Sequence, residues 1–544
     1  MNKSPTAREL WPLFLLPAVL FLMNLGGAPL FDVDEGAFSE ATREMFVRHD
    51  FLSTWLNGDP RFDKPILIYW CQAIFVWLFG PNEWSFRLPS ALAASTWCFA
   101  AGHFAWQRFG REAGLMACGI AATSLGVHAI GRAATADALL NMLLALALLD
   151  SWRHLESGRR APLLRSYLWI GLGVLTKGPV ALLVPGATTL LYCLSAGRFR
   201  DWLKSVFDPV GWLILLAITV PWFIAVSIAN PEFPHYFFIH EHFERFLTKT
   251  HGRYQPAWYF IPILLLGMIP WLGSLAQGLW IGRARESAPG FSPSRFLLAW
   301  TIVVFGFFSV SSSKLASYIL PIFPSIAVLL GVYLARMDGN PRLRWQAVPM
   351  ILVGLAALVL ASRAPGFASE QVTVERYLAY QPWLYTAALA LLLGGALAFA
   401  YGRQGRALAF ALALGLGGHV FGQLFLLGHD EIGRVNSAHD AAIAIRDKLP
   451  PGVPFFSADT YDQSLQFYLK RTTTMVAYRD EMSFGISQEP HKFIPTLAEF
   501  ESRWRELPRA WALMSPATWA EMQKKGLPMT EQFRDSRRVI VSKP

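Results

Sequence analysis

The chain has 544 residues, of which 53% are hydrophobic and only 16% charged, against about 25% charged in a soluble globular protein. Most of it therefore cannot be folding in water. Residues 429–544 hold 16 Lys or Arg against 15 Asp or Glu, so nearly all of the +10 formal charge belongs to the apolar remainder; there it reports membrane topology, and nucleic acid is not needed to explain it.

Apolar stretches of about 20 residues, enough to cross roughly 30 Å of hydrocarbon, recur along the first 428 residues. They must be helical, because lipid offers nothing to bond a bare backbone. We expect about 13 transmembrane helices, near residues 10–30, 86–107, 113–131, 134–152, 163–176, 179–196, 208–229, 257–281, 295–311, 315–335, 346–363, 383–401 and 407–428. The first follows Lys3 and Arg8. Its apolar core is longer than a secretion signal's and no small-residue cleavage site follows, so a retained anchor is expected. With the N-terminus in the cytoplasm, every second loop is basic: Arg108 and Arg111; Arg153, Arg159 and Arg160; Arg198, Arg200 and Lys204; Arg283 and Arg285; Arg336, Arg342 and Arg344; Arg403 and Arg406. That alternation satisfies the positive-inside rule.

The first external loop, residues 31–85, differs in kind. Phe38, Ala41, Met45 and Phe46 recur among charges within Asp34–His49, which suits a helix lying on the membrane surface. Asp32, Asp34 and Glu35 stand just past the first span. Acids at a membrane boundary are costly unless solvated or paired, which marks them as functional candidates; a solvated helix start would also use them. Further along, NGDPRFDKPILIYW sets Asp63 and Lys64 before Pro65. Lys64 could pair with a lipid phosphate, or serve as an interfacial lysine beside the aromatic belt of Tyr69 and Trp70. Pro65–Phe79 is apolar but short, and is expected to lie at the interface.

Three later polar sites fall on the same external side by this topology: Asp137 in GRAATADALL, Lys177 in LTKGPVAL, and Lys314 with Tyr318 in SSSKLASYILP. The loop after the seventh span adds His235, His240, Glu241, His242, Arg245 and His251 among aromatics. Such histidines could hold a divalent metal, or form an interfacial aromatic belt. Arg245 suits a phosphate, which guanidinium grips bidentately.

From about Gly428 the hydropathy falls. An odd number of spans puts residues 429–544 outside the cytoplasm. Their patterning predicts an α/β domain with helices at Ala438–Leu449, Asp462–Leu469, Thr496–Glu506 and Pro516–Lys525, and strands at Val453–Ser457, near Thr474–Tyr478 and near Arg538–Val541. Cys71, Cys98, Cys118 and Cys193 all lie in apolar or membrane-proximal sequence, so neither a disulfide scaffold nor a CxxC metal site is available.

In combination, DEGAFSEATREM, RFDKPILIYW, LTKGP, HEHFERF and SSSKLASYILP resemble the bacterial lipid-linked glycosyltransferases related to the aminoarabinose lipid A transferase and, more distantly, the protein O-mannosyltransferases. The resemblance runs through the membrane part, most specifically residues 1–335, and the C-terminal domain looks like that of the family. It implies a GT-C fold in a protein of the bacterial inner membrane, with a polytopic α-helical membrane domain over residues 1–428 and a periplasmic α/β domain over residues 429–544; a monomer is expected. It also implies a polyprenyl-phosphate sugar donor and a lipid or glycan acceptor. Asp34 and Asp137 match the family's loop acids; Lys64, Arg245 and Tyr318 match residues that hold the carrier phosphate; and Lys177 sits at another functional lysine position. Glu35 and Lys314 join the expected substrate ligands. Asp63 with His240 or His242 resembles a metal pair, although no cofactor is required by the reaction. The sequence departs from many aminoarabinose transferases at Ala37 and Phe38, where they read Arg-Tyr, and at Arg61, where they read Tyr.

Such a set could support inverting transfer. Cations and a hydroxyl would stabilise charge on the leaving phosphate, and Asp34 would take or orient an acceptor proton. A protein or polysaccharide acceptor, or transport of a lipid-linked sugar without chemistry, are the competing readings. Transporters, however, place polar residues near the bilayer midplane, whereas here they gather in loops on one side.

Overall fold

A computed structural model describes residues 7–244, 254–284, 291–479 and 482–543. The chain forms a bundle of membrane helices with a mixed α/β domain seated on one end.

The first helices are α1 (Ala7–Leu22), α2 (Asp34–Arg48), α3 (Leu67–Phe79), α4 (Glu83–Phe109), α5 (Arg111–Thr123), α6 (Leu125–Ile130), α7 (Asp137–Ser157), α8 (Arg160–Lys177), α9 (Val180–Ser195), α10 (Phe199–Val206) and α11 (Pro209–Ala229). Local signals set their ends. The Asn82 side chain caps α4 by accepting from the Ser85 N–H, and Gly110, at φ 100°, ends it. Gly158 and Gly178, both with positive φ, close α7 and α8 in the same way. Because α7 and α8 form an antiparallel hairpin, Asp137 in the first turn of one meets Lys177 at the end of the other.

Helical segments occupy each of the expected membrane ranges, yet among the described residues only six helices are long and apolar enough to cross a membrane, or seven if one bent pair counts as a span. That pair, Ala257–Gly267 and Leu272–Ile281, turns through 115° around Pro270, whose ring offers no N–H to continue a helix. The expected straight span over 257–281 is thus broken. Helices α4 and α7 are less apolar for another reason. They run inside the bundle, burying residues such as Ser90, Ser95, Asn141 and Ser151, where interhelical contact asks for small and hydrogen-bonding side chains. Close approach is the rule there. A Cβ on Gly102 or Gly114 would sit 2.9 Å from the carbonyl oxygen of the opposing glycine across the α4–α5 contact, and the two long helices Val374–Arg403 and Ala407–Gly428 meet at Gly394 and Gly417 in the same manner.

The last membrane helix ends at Gly428, and the chain then builds a five-stranded sheet. Its strands β3 (Phe455–Ala458), β4 (Thr474–Val476), β5 (Trp511–Met514), β6 (Thr530–Arg534) and β7 (Val539–Ser542) lie in the order β4-β3-β5-β7-β6. β3 is parallel to both neighbours, and β7 is antiparallel to both of its own. The expected helices are present, but β5 and β6 were not expected. β5 is the central strand and fully buried, so its Trp-Ala-Leu-Met run shows none of the apolar–polar alternation that betrays a half-exposed strand. A two-stranded hairpin, β1 (Trp55–Leu56) with β2 (Asp59–Pro60), lies in the first loop.

That loop is the seat of the α/β domain. Asp32 accepts hydrogen bonds of 2.6 Å from both the amide and the hydroxyl of Ser464. Tyr468 donates to Glu83 at 2.9 Å and accepts from the Leu30 amide. Asn57 bonds the Thr473 backbone in both directions and accepts from Gln466. Gly36 is required at this seam, since a Cβ there would meet the Ser464 amide nitrogen at 2.7 Å.

Candidate active site

The elements bearing the sequence candidates end on the side of the bundle that carries the α/β domain. Lys177 donates to the Asp137 Oδ1 at 2.6 Å. Its ammonium also stands 5.5 Å from the centre of the Tyr318 ring, in the range of a cation–π contact, and close enough to Asp34 to feel its charge. Four residues from four separate segments thus converge. Asp34 is exposed at the start of α2, where the N-terminal dipole favours a carboxylate. Tyr318 is half-buried, its ring against Phe308 at 5.2 Å.

A second group adjoins the first, because Asp34 also acts on the Tyr69 phenol. Arg61 is buried among Phe38, Tyr69 and Asp63: its guanidinium donates to the Tyr69 hydroxyl at 3.1 Å, pairs with Asp63 at 3.0 Å and lies 5.6 Å from the Phe38 ring centre. Phe38 stacks on Tyr69 at 5.4 Å. Asp63 also accepts from the Tyr236 hydroxyl at 3.1 Å. Tyr236 packs against Phe484 of the α/β domain, ring centres 4.1 Å apart, so that domain forms part of the wall. Lys64 donates to the Asp63 carbonyl at 2.7 Å, which fixes its ammonium beside this cluster.

Two expected substrate ligands are otherwise engaged. Glu35 is buried, paired with Arg87 through two contacts of 2.8 Å, and accepts from the amides of Ala134 and Phe31. With both oxygens occupied it pins the first loop to α4 and to the 131–136 turn, and nothing is left for a substrate. Lys314, also buried, donates to the carbonyls of Gln255 and Ser311 and so ties two segments together. Arg245 and the side chains of His240 and His242 lie outside the described residues. The described part of the expected metal pair is Asp63, whose neighbour Arg61 opposes a second cation. Among the described residues no three His, Cys, Asp or Glu side chains cluster in a way that would hold a metal.

Reasoning on the sequence missed Arg61, Tyr236 and Phe484 as members of the site, and Arg87 as the partner of Glu35. Arg87 had a signal: an arginine at the head of an apolar span needs a buried partner. For Phe484, nothing in the local pattern points at the membrane domain.

The chain matches the sequence model of the dolichyl-phosphate-mannose-protein mannosyltransferase family over residues 63–224 and that of the aminoarabinose transferase C-terminal domain over residues 441–543. The crystal structure of ArnT from Cupriavidus metallidurans bound to undecaprenyl phosphate superposes with a TM-score of 0.90 at 31% identity, covering 99% of each chain. The chain belongs to the aminoarabinose transferase family. The apo structure of the same ArnT matches nearly as well, with a TM-score of 0.88 at 32% identity. Sequence relatives in the family include the undecaprenyl phosphate-α-4-amino-4-deoxy-L-arabinose arabinosyl transferases of Aeromonas salmonicida and Erwinia tasmaniensis. The first is 32% identical over 66% of this chain and 67% of its own length. The second is 32% identical over 63% of this chain and 62% of its own length. The fold is therefore the GT-C fold expected from the sequence.

Proposed function

We propose that this protein is a lipid-linked glycosyltransferase that moves 4-amino-4-deoxy-L-arabinose from undecaprenyl phosphate to lipid A, with inversion at the anomeric carbon. The names of its relatives supply the donor, and the neighbour bound to undecaprenyl phosphate supports the carrier. The observation that carries the reading is the convergence of Asp34, Asp137, Lys177 and Tyr318.

The acceptor oxygen attacks the anomeric carbon from the face opposite the carrier phosphate, the glycosidic C–O bond breaks, and the bonding pair leaves with the phosphate. Lys177, Lys64, Arg245 and the Tyr318 hydroxyl stabilise the negative charge that grows on that phosphate. Asp137 holds Lys177 in place. Asp34, exposed and acidic, either takes the proton of a hydroxyl acceptor or, for an already ionised phosphate acceptor, orients the sugar.

In the membrane the N-terminus faces the cytoplasm and the α/β domain, residues 429–544, the periplasm. The support is electrostatic: the helix ends opposite the site carry the Arg-rich loops, and one of them is tied by the Arg108–Glu156 ion pair between α4 and α7. The deciding experiment incubates the purified protein with undecaprenyl phosphate-aminoarabinose and lipid A and measures modified lipid A and released carrier phosphate. The reading predicts both products from the parent protein and neither from Asp34→Asn; carrier release without modified lipid A would point to another acceptor.

A further inference from the structure

Helices α8 and α9 touch near the turn that follows Lys177, where a Cβ on Gly173 would meet that of Ala181 at 2.7 Å, and splay apart towards their other ends. The gap between them is a cavity of about 370 Å³, bounded also by α10 and the start of α11. Leu163, Tyr167 and Ile170 of α8 line it, as do Leu183, Gly186 and Leu190 of α9, each set at the spacing of a single helical face. Leu183 is 51% exposed, so the cavity opens sideways, on the surface that lipid covers.

The walls leave water little to bond. The Tyr167 hydroxyl donates to the carbonyls of Ser205 and Val206 at 2.9 and 2.8 Å, the Trp202 indole to that of Gly186 at 3.2 Å and the Trp212 indole to that of Val206 at 2.7 Å. Ser151 and Ser166 bond one another at 2.9 Å. Water settles in a cavity only with several polar partners, whereas hydrocarbon fills an apolar gap that opens on the bilayer without that cost. Gly186 faces the space directly, since a Cβ there would meet nothing within 4 Å.

Charge at the cavity's edge selects the lipid. Arg160 is paired with Asp208 at 3.0 Å, Arg198 with Asp201 at 2.7 Å, and Arg165 with Asp150 at 2.8 Å. Arg159 and Lys204 are exposed and have no ion-pair partner among the described residues. The ring of His154, a wall residue, donates from Nδ1 to the Arg159 carbonyl at 2.8 Å, and Lys204 adjoins Ser205 of the wall. Phe199 and Phe207, both exposed, flank α10, the pattern of a helix lying in a membrane interface. The positive-inside rule explains the sign of these cations; it does not require an apolar cavity to end beside them. Basic pockets between membrane helices on the cytoplasmic side suit anionic headgroups. We infer that this cavity holds one acyl chain of an anionic phospholipid from the cytoplasmic leaflet, whose phosphate pairs with Arg159 and Lys204, and that the lipid braces α8 and α9 behind Lys177. The choice of leaflet rests on the orientation proposed above; the site itself does not.

The test uses the full-length protein in detergent, titrated with phospholipid and followed by native mass spectrometry. The parent protein should bind one phosphatidylglycerol at least about tenfold more tightly than phosphatidylcholine, the scale of two basic residues facing an anionic headgroup, and its melting temperature should rise with it. Gly186→Phe fills the cavity and should lose both the tight site and the thermal shift, whereas Gly186→Ala leaves room for the chain and should keep them. The double variant Arg159→Glu with Lys204→Glu, at exposed positions, should bind the two lipids alike. Equal affinity of the parent protein for the two lipids, or tight binding that survives in Gly186→Phe, would overturn the inference. Should Gly186→Phe not fold, the charge variant decides, and an unchanged preference for phosphatidylglycerol sinks the proposal. The leaflet is read separately: Arg200→Cys should react with an impermeant maleimide only from the cytoplasmic face. Reaction from the periplasmic face would overturn the orientation and with it the leaflet, while the titration would still decide the site.

Discussion

Asp32 and Ser464 lie 432 positions apart in the chain, yet the Asp32 carboxylate takes both hydrogen bonds that Ser464 can donate, from its amide and from its hydroxyl. This contact joins the first loop to the α/β domain two residues before Asp34, so the position of an acid at the candidate active site depends on a domain that contributes none of the reacting groups.

Docking at this seam should depend on pH. Burial, reinforced by the nearby Asp462, raises the Asp32 carboxyl from 3.8 to about 7. The folded protein therefore binds this proton between those values while the unfolded chain does not. Stability from Asp32 is complete below about 4, declines as pH rises, and is flat above about 7. Thermal unfolding followed from pH 4 to 8 should show that decline in the parent protein. In Asp32→Asn the decline should be reduced; an unchanged profile would show that another group sets it.

Removing one member of the Asp137–Lys177 pair should do more than lower activity. Lys177→Met leaves Asp137 half-buried and unpaired, and Asp137→Asn frees the ammonium to swing from Tyr318. Each should cut kcat by about a hundredfold or more, the scale for removal of a charge-stabilising group. Because they act as a unit, the double variant should be scarcely worse than either single one. Additive losses in steady-state kinetics would separate their roles.

Glu35→Gln should behave as a stability variant. It leaves Arg87 buried with its charge uncompensated, a defect worth about 3–5 kcal/mol when one partner of a buried pair is removed. Lower yield and a lowered melting temperature in detergent are expected, with near-normal kcat in the folded fraction. The joint change Glu35→Met with Arg87→Leu should recover much of the loss, since an apolar pair leaves no stranded charge. A well-folded Glu35→Gln protein without activity would return Glu35 to the substrate.

Gly36→Val tests the seam sterically. The added side chain would begin 2.7 Å from the Ser464 amide nitrogen, closer than van der Waals contact allows. The α/β domain should then become more open to limited proteolysis, and activity should fall with it. Intact docking in this variant would mean that the backbone yields more easily than close packing suggests.

Much of this was legible beforehand, for identifiable reasons. Spans could be read because lipid imposes a length and a composition on any helix that faces it, and Asp34, Asp137, Lys177 and Tyr318 stood out as polar residues at the ends of such helices. Glu35 and Lys314 stood out for the same reason, although Arg87 and two backbone carbonyls already engage them. Charge at a membrane boundary marks a residue as unusual without saying whether a protein group or a ligand satisfies it.

Sequence alone determined that this chain is a polytopic membrane protein whose polar loop residues share one side, because hydropathy and charge alternation are properties of position along the chain and act locally. Tertiary structure decided which of those residues gather around the Asp137–Lys177 pair and which are bound into the scaffold, as Glu35 is by Arg87. It also decided that Arg61, Tyr236 and Phe484 close the wall of the site. Those choices depend on distances between segments far apart in the chain, and packing, which sets those distances, leaves no period or spacing in the sequence.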